Sequence, residues 1–218
     1  MDIRISEDSY KNYIINNLDY TLCKENKIYE KVTRIVDIIL SVLGIIVGFP
    51  IICVFGLLIK IEDGGPILYK QERLGKYGET FELYKIRSMR IDAEKLGAQW
   101  AEKNDPRILK VGKFIRKTRI DEIPQLFNII IGDMSIIGPR PERPIFTQQF
   151  EEEIPGFIDR LLVKPGLTGL AQVNGGYDIT PKEKLIWDLK YIKNRNLKMD
   201  FKIILKTIKV VMSGDGAR

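Results

Sequence analysis

The stretch IILSVLGIIVGFPIICVFGLLI, residues 38–59, contains 22 consecutive residues without a charge. A straight α-helix of this length would reach about 33 Å, which is close to the thickness of the hydrocarbon core of a bilayer. A polar segment precedes the stretch and no small-residue cleavage site follows it, so it does not resemble a signal peptide. Three interpretations remain: a buried helix of a soluble protein, a helix that spans a membrane, and a bent helix that enters and leaves the same leaflet.

Pro50, in the second half of this apolar stretch, favours the third interpretation. Proline removes one backbone donor and clashes with the carbonyl four residues earlier, so we expect a bend about one turn before it. Both flanks are basic, with Lys31 and Arg34 before the stretch and Lys60 after it. A spanning helix would place one basic flank outside, against the positive-inside tendency. We therefore predict a re-entrant membrane helix over residues 31–61, broken at Pro50.

The overall composition restricts both the chemistry and the partners. Lysine and arginine number 35 against 29 acidic residues, giving a net charge of +6 that attracts anions such as lipid headgroups or phosphorylated metabolites. The lysines are dispersed and no aromatic-rich binding motif appears, so we do not expect nucleic acid as a partner. The chain has no histidine, which leaves acid–base and nucleophilic work to carboxylates, lysines or thiols. Cys23 and Cys53 form no CxxC pair, so neither a disulfide framework nor a zinc site is indicated, and a cytosol-facing location follows.

Several local patterns predict secondary structure on either side of the acidic residues discussed below. β-Branched and aromatic residues flank Gly75–Gly78 and predict a β-hairpin. Residues 90–104 are predicted to form a solvated helix, and residues 163–176, with four glycines and a proline, a loop that can approach a ligand closely. Thr180 and Glu183 have the spacing of a capping box at the start of a helix.

The last predicted helix has an apolar face opposite a lysine-rich side. Its apolar positions recur at helical spacing and its four lysines line the other side. The apolar positions are Phe201, Ile204, Leu205, Ile208, Val211 and Met212, and the lysines are Lys198, Lys202, Lys206 and Lys209. Two interpretations stay open: a helix packed on a core with a solvated charged side, or an amphipathic helix lying on an anionic membrane.

An adjacent acidic pair, Asp121 and Glu122, lies within RKTRIDEIPQLFNIIIGDMSIIGPRPE, residues 116–142. Pro124 is tolerated in a first helical turn, so the pair is expected at a helix start, and Gly132 marks the end of that helix. The N-terminal dipole would keep Asp121 ionised and nucleophilic. Taken alone, such a pair is more typical of an N-cap with first-turn acids than of a catalytic site. Nearby cations could hold phosphates, namely Arg116, Lys117 and Arg119.

Six short motifs follow one another between Lys31 and Met212, and together they resemble the bacterial sugar transferase family, the monotopic phosphoglycosyl transferases. The motifs are YKQERLG (69–75), YKIRSM (84–89), IDEIPQLFN (120–128), GDMSIIGPRPE (132–142), KPGLTGLAQVNG (164–175) and DLKYIKN (188–194). The resemblance implies an enzyme that transfers a sugar 1-phosphate from a UDP-sugar to undecaprenyl phosphate. UMP leaves, and a lipid diphosphate sugar forms as the first membrane step of surface glycoconjugate synthesis.

The resemblance also implies roles for particular residues. The catalytic acid dyad maps onto Asp121 and Glu122, with Asp121 attacking the β-phosphorus to form a covalent phosphosugar intermediate. Mg²⁺ is the implied cofactor, held near the same two carboxylates. The implied phosphate, dyad-support and substrate contacts are Arg140, Arg119, Lys85, Arg87, Gln172 and Asn174. Asp188 and Tyr191 fit the family pattern and are expected to brace the glycine-rich segment.

The fold expected from these observations is α+β and mainly helical, with a re-entrant helix-break-helix, amphipathic interfacial helices and a small β-hairpin around a cytosolic catalytic core. Residues 1–30 would form a polar N-terminal segment, either an interfacial helix or an arm, and residues 62–218 the catalytic domain. The expected location is the cytoplasmic face of the bacterial inner membrane. The implied partners are the UDP-sugar, undecaprenyl phosphate, an anionic membrane surface, downstream glycosyltransferases and a homo-oligomer. The alternative function is a non-catalytic scaffold that binds polyprenol phosphate or partner glycosyltransferases at the membrane.

Overall fold

A computed structural model describes residues 7–95, 105–175 and 179–213, and within these ranges the chain is mainly helical with two small β-sheets. The helices are α1 (Glu7–Asn17), α2 (Lys27–Asp63), α3 (Lys110–Lys117), α4 (Gln125–Ile131), α5 (Pro144–Glu153), α6 (Leu170–Gly175), α7 (Pro181–Asn194) and α8 (Leu197–Ser213). The strands are β1 (Leu68–Leu74), β2 (Thr80–Ile86), β3 (Ser135–Ile137) and β4 (Gly166–Thr168). Short 3-10 helices are Tyr20–Leu22, Lys76–Gly78, Ile120–Glu122 and Phe157–Leu162.

Helix α2 contains the apolar stretch and runs without interruption for 37 residues, with Pro50 inside it. At 1.5 Å per residue it is about 55 Å long. Its most apolar part has a mean hydropathy of 2.9 and is only 11 % buried, so it is long and apolar enough to cross a membrane and is not a core helix. The predicted division into two helices is wrong at the level of secondary structure, because the proline removes one backbone hydrogen bond without ending the helix. The helix also starts at Lys27 and ends at Asp63 instead of spanning residues 31–61.

One side of α2 packs closely on the rest of the protein through glycines. A Cβ atom added to Gly44 would lie 2.8 Å from a methyl of Leu126, and one added to Gly48 would lie 2.6 Å from a methyl of Ile123. Gly56 makes the same kind of approach beyond the proline. Contact on both sides of the proline thus holds α2 along the body of the protein.

Polar contacts fix both ends of α2 to that same body. Arg34 donates to two backbone carbonyls at the end of α4, at 2.5 and 2.6 Å. Asp37 accepts from the backbone N–H of Ile136 in β3 at 2.9 Å. At the other end, Glu62 accepts from the first two N–H groups of α3, at 2.6 and 2.9 Å. These contacts satisfy groups that helix ends and strand edges would otherwise leave unpaired.

The predicted β-hairpin is confirmed, with β1 and β2 antiparallel in the register Leu68↔Ile86 to Leu74↔Thr80. The side chain of Asn128 continues the pairing on the far edge of β2. Its Oδ1 accepts from the backbone N–H of Tyr84 at 3.1 Å, and its Nδ2 donates to the carbonyl of Glu82 at 2.7 Å. Since Asn128 belongs to α4, these two bonds fix α4 and the acidic pair before it against the hairpin.

The segment predicted as a glycine-rich loop, residues 163–176, is largely regular over its described part, residues 163–175. Strand β4 pairs in parallel with β3, and α6 follows directly. Two of the glycines allow close backbone packing: a Cβ atom on Gly166 would lie 2.0 Å from the backbone N of Gly138, and one on Gly169 would lie 2.1 Å from the carbonyl oxygen of Gly138. The composition was correctly taken as a need for close approach, but the neighbour is the chain's own backbone.

Three further segments show different outcomes: one prediction is wrong over its described part, one open question is answered, and one prediction is confirmed. Residues 91–95 form a turn where a helix over residues 90–104 was predicted, and residues 96–104 lie outside the described residues. In the N-terminal segment, whose form the sequence left open, α1 buries Ile14 in the core cluster that also contains Tyr191. The predicted capping box at Thr180 is confirmed at the start of α7.

Helix α8 exposes most of its apolar positions. Ile203 faces the core and is 1 % exposed, whereas Phe201 is 61 % exposed and Met212 is 83 % exposed. Leu205 and Ile208 lie on the same exposed side. Of the two interpretations left open by the sequence, this exposure favours an amphipathic surface helix over one packed entirely on a core.

Candidate active site

A cavity of about 430 Å³ opens between the β-hairpin, the 3-10 helix Ile120–Glu122, the Gly138–Glu142 segment and α6. This volume is within the range of small-molecule sites. The described residues that line it include nine lysines or arginines and only three acidic residues. Such an excess of cations suits an anionic ligand with more than one phosphate.

The acidic pair lies in the 3-10 helix, at the edge of this cavity. Asp121 lines the cavity, and the side chains of Asp121 and Glu122 are 13 % and 12 % exposed. The predicted single helix is therefore divided: the pair forms a 3-10 turn, and α4 begins after Pro124. Gly132 ends α4 in the left-handed conformation, with φ of 104°, as predicted.

Two predicted cations contact the acidic pair. Lys85 Nζ, at the end of β2, lies 4.0 Å from Asp121 Oδ2. Arg140 donates to Glu122 Oε1 at 2.5 Å. The structure therefore brings together, from the hairpin, the 3-10 helix and the GPRPE motif, residues that are far apart in the sequence.

The two carboxylates titrate differently because their neighbours differ. Burial raises the pKa of Asp121 to about 6, with the charge of Glu122 acting in the same direction and Lys85 opposing it. Burial acts on Glu122 as well, but the charges of Arg140 and Lys85 outweigh it and lower the pKa of Glu122 to about 2. Near neutral pH Glu122 is thus a permanent anion, and Asp121 is an ionised carboxylate held in a poorly hydrated position.

Arg119 precedes the pair and adopts the left-handed conformation, with φ of 56° and ψ of 20°. This conformation costs a residue with a Cβ atom about 1–2 kcal/mol, and such strain is often found at functional sites. Here it turns the chain from α3 into the 3-10 helix and leaves Arg119 lining the cavity.

Replacing Arg119 by glycine and by alanine should separate the backbone role from the side-chain role. Both variants lose the guanidinium, and both should lose about 10-fold or more in activity through weaker phosphate binding. Only alanine retains the strain, so Arg119→Ala should unfold at a lower free energy than Arg119→Gly, by about 1 kcal/mol. Denaturant unfolding of the two proteins measures this difference, and equal stabilities would contradict a strained Arg119.

Arg87 was predicted to contact phosphate or the dyad, but its guanidinium is engaged elsewhere. It donates to Pro66 O at 2.8 Å and also bonds the Asp63 carboxylate and the carbonyl of Gly64. These partners lie at and just after the end of α2, so Arg87 holds the segment that follows α2 in place beside the cavity. The phosphate contact stays a prediction that these bonds do not favour.

The two predicted amide contacts fall in different places. Gln172 lines the cavity, its Nε2 donates to Leu167 O at 3.3 Å, and its buried Oε1 has no hydrogen-bond partner among the described residues. Asn174 is exposed and is not among the described lining residues; it bonds Leu170 O at 2.7 Å and Lys206 Nζ at 2.8 Å. The structure thus places Gln172, but not Asn174, where a substrate in the cavity could reach it.

A buried ion pair between Arg160 and Asp188 holds the backbone of Arg140 in place. Of the two residues, only Asp188 was predicted from the sequence. Arg160 Nε donates to Asp188 Oδ2 at 2.7 Å, and the side chains are 4 % and 1 % exposed. A second nitrogen of Arg160 donates to the backbone carbonyl of Arg140 at 2.8 Å. Asp188 was expected to brace the glycine-rich segment, whereas it braces the arginine motif. Arg160 lies outside every motif, so no sequence signal pointed to it.

Glu142, the last residue of the GPRPE motif, was also given no role. Its carboxylate lies 2.7 Å from Lys184 Nζ and 3.7 Å from Arg73. Burial acts against its ionisation, but Lys184, Arg160 and Arg73 together lower its pKa. It therefore fixes two of the cavity's cations in place as a buried anion.

The residues present fit Mg²⁺ only if the substrate supplies some of the ligands of the ion. No group of three or more possible protein ligands occurs among residues 7–95, 105–175 and 179–213. Asp121 and Glu122 remain as a two-carboxylate set. Mg²⁺ is commonly held by one or two carboxylates together with substrate phosphates and water, so this donor set suits it when a diphosphate is bound.

The structure thus combines a cation-lined cavity and a buried acidic pair with a long, exposed apolar helix. A family model described as Bacterial sugar transferase matches residues 28–214, and the chain belongs to this family. The predicted resemblance is thereby confirmed, and so is the assignment of the chain as a phosphoglycosyl transferase.

Curated relatives agree with this assignment. A Bacillus subtilis protein provisionally named as an undecaprenyl-phosphate N-acetylgalactosaminyl 1-phosphate transferase is 56 % identical over 65 % of this chain and 79 % of its own length. The UDP-N-acetylgalactosamine-undecaprenyl-phosphate N-acetylgalactosaminephosphotransferase of Aeromonas hydrophila is 45 % identical over 88 % of this chain. The undecaprenyl-phosphate galactose phosphotransferase of Salmonella typhimurium is 39 % identical over 84 % of it. The chain spans 46 % and 41 % of the length of the last two.

Proposed function

We propose that the chain transfers a sugar 1-phosphate from a UDP-sugar to undecaprenyl phosphate, releasing UMP and leaving a lipid diphosphate sugar. The names of the relatives support both substrates. The observation that carries the proposal is the dyad itself: an ionised, poorly hydrated Asp121 beside Lys85, next to a Glu122–Arg140 pair, at the edge of a cavity lined by cations.

In the first half-reaction an oxygen of Asp121 attacks the β-phosphorus of the UDP-sugar. The bond from this phosphorus to the bridging oxygen breaks, and UMP leaves with that oxygen and its electron pair. A sugar phosphate is then esterified to Asp121. Lys85 and Arg140 stabilise charge on the phosphate oxygens, and Glu122 holds Arg140 in position for this contact.

In the second half-reaction an oxygen of the lipid phosphate attacks the same phosphorus, and the Asp121 carboxylate leaves. The lipid diphosphate sugar is formed and the enzyme returns to its starting state. Two displacements at one site account for a single dyad serving two anionic substrates, and they imply ping-pong kinetics.

Asp121 and Glu122 would hold Mg²⁺, the proposed cofactor of this site, when a diphosphate substrate is bound. When bound, the ion would neutralise negative charge that otherwise repels an anionic nucleophile from a diphosphate. The residues of the chain still do the positioning, because Lys85 and Arg140 contact the dyad directly.

The decisive assay is UMP release from a panel of UDP-sugars in the presence of undecaprenyl phosphate and Mg²⁺. We expect release from at least one UDP-sugar, dependent on the lipid for continued turnover. A non-catalytic scaffold, the alternative function, would bind the lipid phosphate and release no UMP. The intact dyad and its partners favour the enzyme, since a scaffold needs neither.

We propose that α2 is re-entrant and lies at the cytoplasmic face of the bacterial inner membrane, with the catalytic domain beside it. Support comes from the contacts of Arg34 and Asp37 at one end and Glu62 at the other, which tie both ends to one body. A helix attached at both ends to a body on one side of a bilayer cannot leave its far end on the opposite side. The outward side of α2 and the exposed side of α8 offer apolar surface for the lipid, and the lysines of α8 suit an anionic membrane. Downstream glycosyltransferases and a second copy of the chain remain proposed partners.

Cysteine labelling tests this topology with positions that the structure shows to be exposed. In a chain whose Cys23 and Cys53 are replaced by serine and alanine, single cysteines are placed at Lys31, Glu72 and, within the apolar stretch, Val47. A membrane-impermeant maleimide should label Lys31→Cys and Glu72→Cys in inside-out vesicles and neither in intact spheroplasts. Val47→Cys should stay unlabelled in both, shielded by lipid. Labelling of Lys31→Cys in intact spheroplasts would contradict the re-entrant topology and favour a helix that spans the membrane.

A further inference from the structure

Glu94 differs from the other acidic residues that line the cavity. Among the described lining residues, the acids are Asp121, Glu142 and Glu94. Asp121 belongs to the dyad, and Glu142 is only 7 % exposed and lies against Lys184 and Arg73. The side chain of Glu94, by contrast, is 39 % exposed and has no role in the proposed chemistry.

An accessible carboxylate is unfavourable in a cavity built for a diphosphate, because like charges repel there with little screening. It is favourable, however, beside a neutral part of the ligand that carries hydroxyl groups. A carboxylate only accepts hydrogen bonds, and those it accepts are stronger than bonds between neutral groups. Glu94 therefore indicates which part of the cavity receives hydroxyl groups instead of phosphate.

The neighbours of Glu94 hold its carboxylate at the cavity wall. Arg143 NH1 donates to Oε1 at 3.0 Å, and Gln71 Nε2 lies 3.4 Å from the same oxygen. Gln71 Nε2 also donates to the hydroxyl of Tyr69 at 3.2 Å. All four residues line the cavity and come from three separate parts of the chain, namely β1, the turn at residues 91–95 and the start of α5.

We propose that Glu94, positioned by Arg143 and Gln71, accepts hydrogen bonds from a vicinal diol of the sugar-nucleotide donor and so contributes to donor affinity. The inference rests on the proposed function. Both the ribose and a pyranose sugar carry such a diol, so the shared chemistry is the pair of neighbouring hydroxyls. Glu94 acts in binding, and it takes no part in the transfer of the phosphoryl group.

Calorimetric binding of UDP and of UDP-sugars to Glu94→Gln and to the protein with Glu94 intact tests the proposal, with Asp121→Asn in both so that no adduct forms during the titration. The variant should bind the UDP-sugar about 10-fold more weakly, the effect of losing hydrogen bonds to a charged acceptor. In the UMP-release assay, with Asp121 intact, KM should rise by a similar factor while kcat stays within about twofold. If UDP also binds more weakly, the diol is that of the ribose; if UDP binds unchanged, it belongs to the transferred sugar. Glu94→Asp, which keeps the charge, should recover part of the affinity.

Glu72→Gln is the matched control, because Glu72 is exposed on β1 and is not among the described residues lining the cavity. It should bind every ligand as the wild type does. Unchanged or tighter donor binding by Glu94→Gln would overturn the proposal. Glu94 would then pair with Arg143 without contacting the donor, and its charge would repel the diphosphate. Failure of the proposed function gives a different result: the wild type itself would bind no UDP-sugar and release no UMP.

Discussion

Asp121→Asn should reduce UMP release by roughly 10⁴-fold or more, because the amide cannot form the acyl phosphate on which both half-reactions depend. The substitution keeps the size and shape of the side chain. Incubation of the wild type with UDP-sugar, in the absence of lipid phosphate, should leave a phosphosugar adduct in the intact-mass spectrum. The asparagine variant should show none under the same rapid quench.

The same substitution should also stabilise the fold, which distinguishes loss of chemistry from loss of structure. The pKa of Asp121 rises from 3.8 in the unfolded chain to about 6 in the folded protein. Between these values the folded state keeps a proton that the unfolded chain has lost, so stability falls as pH rises through this window. Above it, the ionised form costs on the order of 1–3 kcal/mol, a cost that a neutral asparagine does not carry.

Thermal unfolding without Mg²⁺ measures this effect. Asp121→Asn should melt a few degrees higher than the wild type at about pH 8, and the difference should shrink at about pH 5, where Asp121 takes up its proton. Glu122→Gln is the contrasting variant, because its carboxylate is held ionised beside Arg140 and its loss should lower the melting temperature. Substantial UMP release by Asp121→Asn, or an adduct on it, would show that another group is the nucleophile.

The sequence was sufficient where a local pattern has one physical solution. Thr180 and Glu183 could be assigned because a capping box is completed within four residues. The β-hairpin around Gly75–Gly78 and the end of α4 at Gly132 followed from turn chemistry in the same way. The acidic pair was expected in the first turn of the helix that Pro124 begins, but it forms a separate 3-10 turn before α4.

The predictions that were wrong concern features that depend on contacts between residues far apart in the sequence. Pro50 was expected to break a helix, but α2 continues through it, and Gly44 and Gly56 on either side of the proline pack closely on other side chains. Residues 163–176 were predicted to form a ligand loop because composition does not reveal that Gly138 is the close neighbour of Gly166 and Gly169. These are tertiary contacts, which no local propensity encodes.

The site shows the same division. Asp121, Glu122 and Arg140 lie within motifs, so their resemblance to a family located them. Arg160 lies between motifs, and no motif assigned a role to Glu94. The importance of these two residues depends on Asp188 and Arg143, the partners that the fold brings to them. Asn174 belongs to a motif, yet its helix turns it toward Lys206 and away from the cavity.

Asp188→Ala should destabilise the protein by roughly 3–5 kcal/mol, because it leaves the guanidinium of Arg160 buried without its counter-ion. The melting temperature should fall by about 10 °C, and Lys182→Ala, which removes an exposed charge from the same helix, should have almost no effect. Differential scanning fluorimetry in detergent measures both. A melting temperature equal to that of the wild type would show that the Arg160–Asp188 pair adds nothing to stability.

A double variant, Arg160→Met with Asp188→Leu, separates stability from the positioning of Arg140. Replacing a buried ion pair by apolar side chains of similar volume is often neutral, so this protein should recover most of the lost stability. It still lacks the bond from Arg160 to the carbonyl of Arg140, which fixes the arginine that contacts Glu122. We therefore expect a stable protein with a raised KM for the UDP-sugar and lower kcat/KM, by about 10-fold. Wild-type kinetics in this double variant would mean that the GPRPE segment holds Arg140 without help from the buried pair.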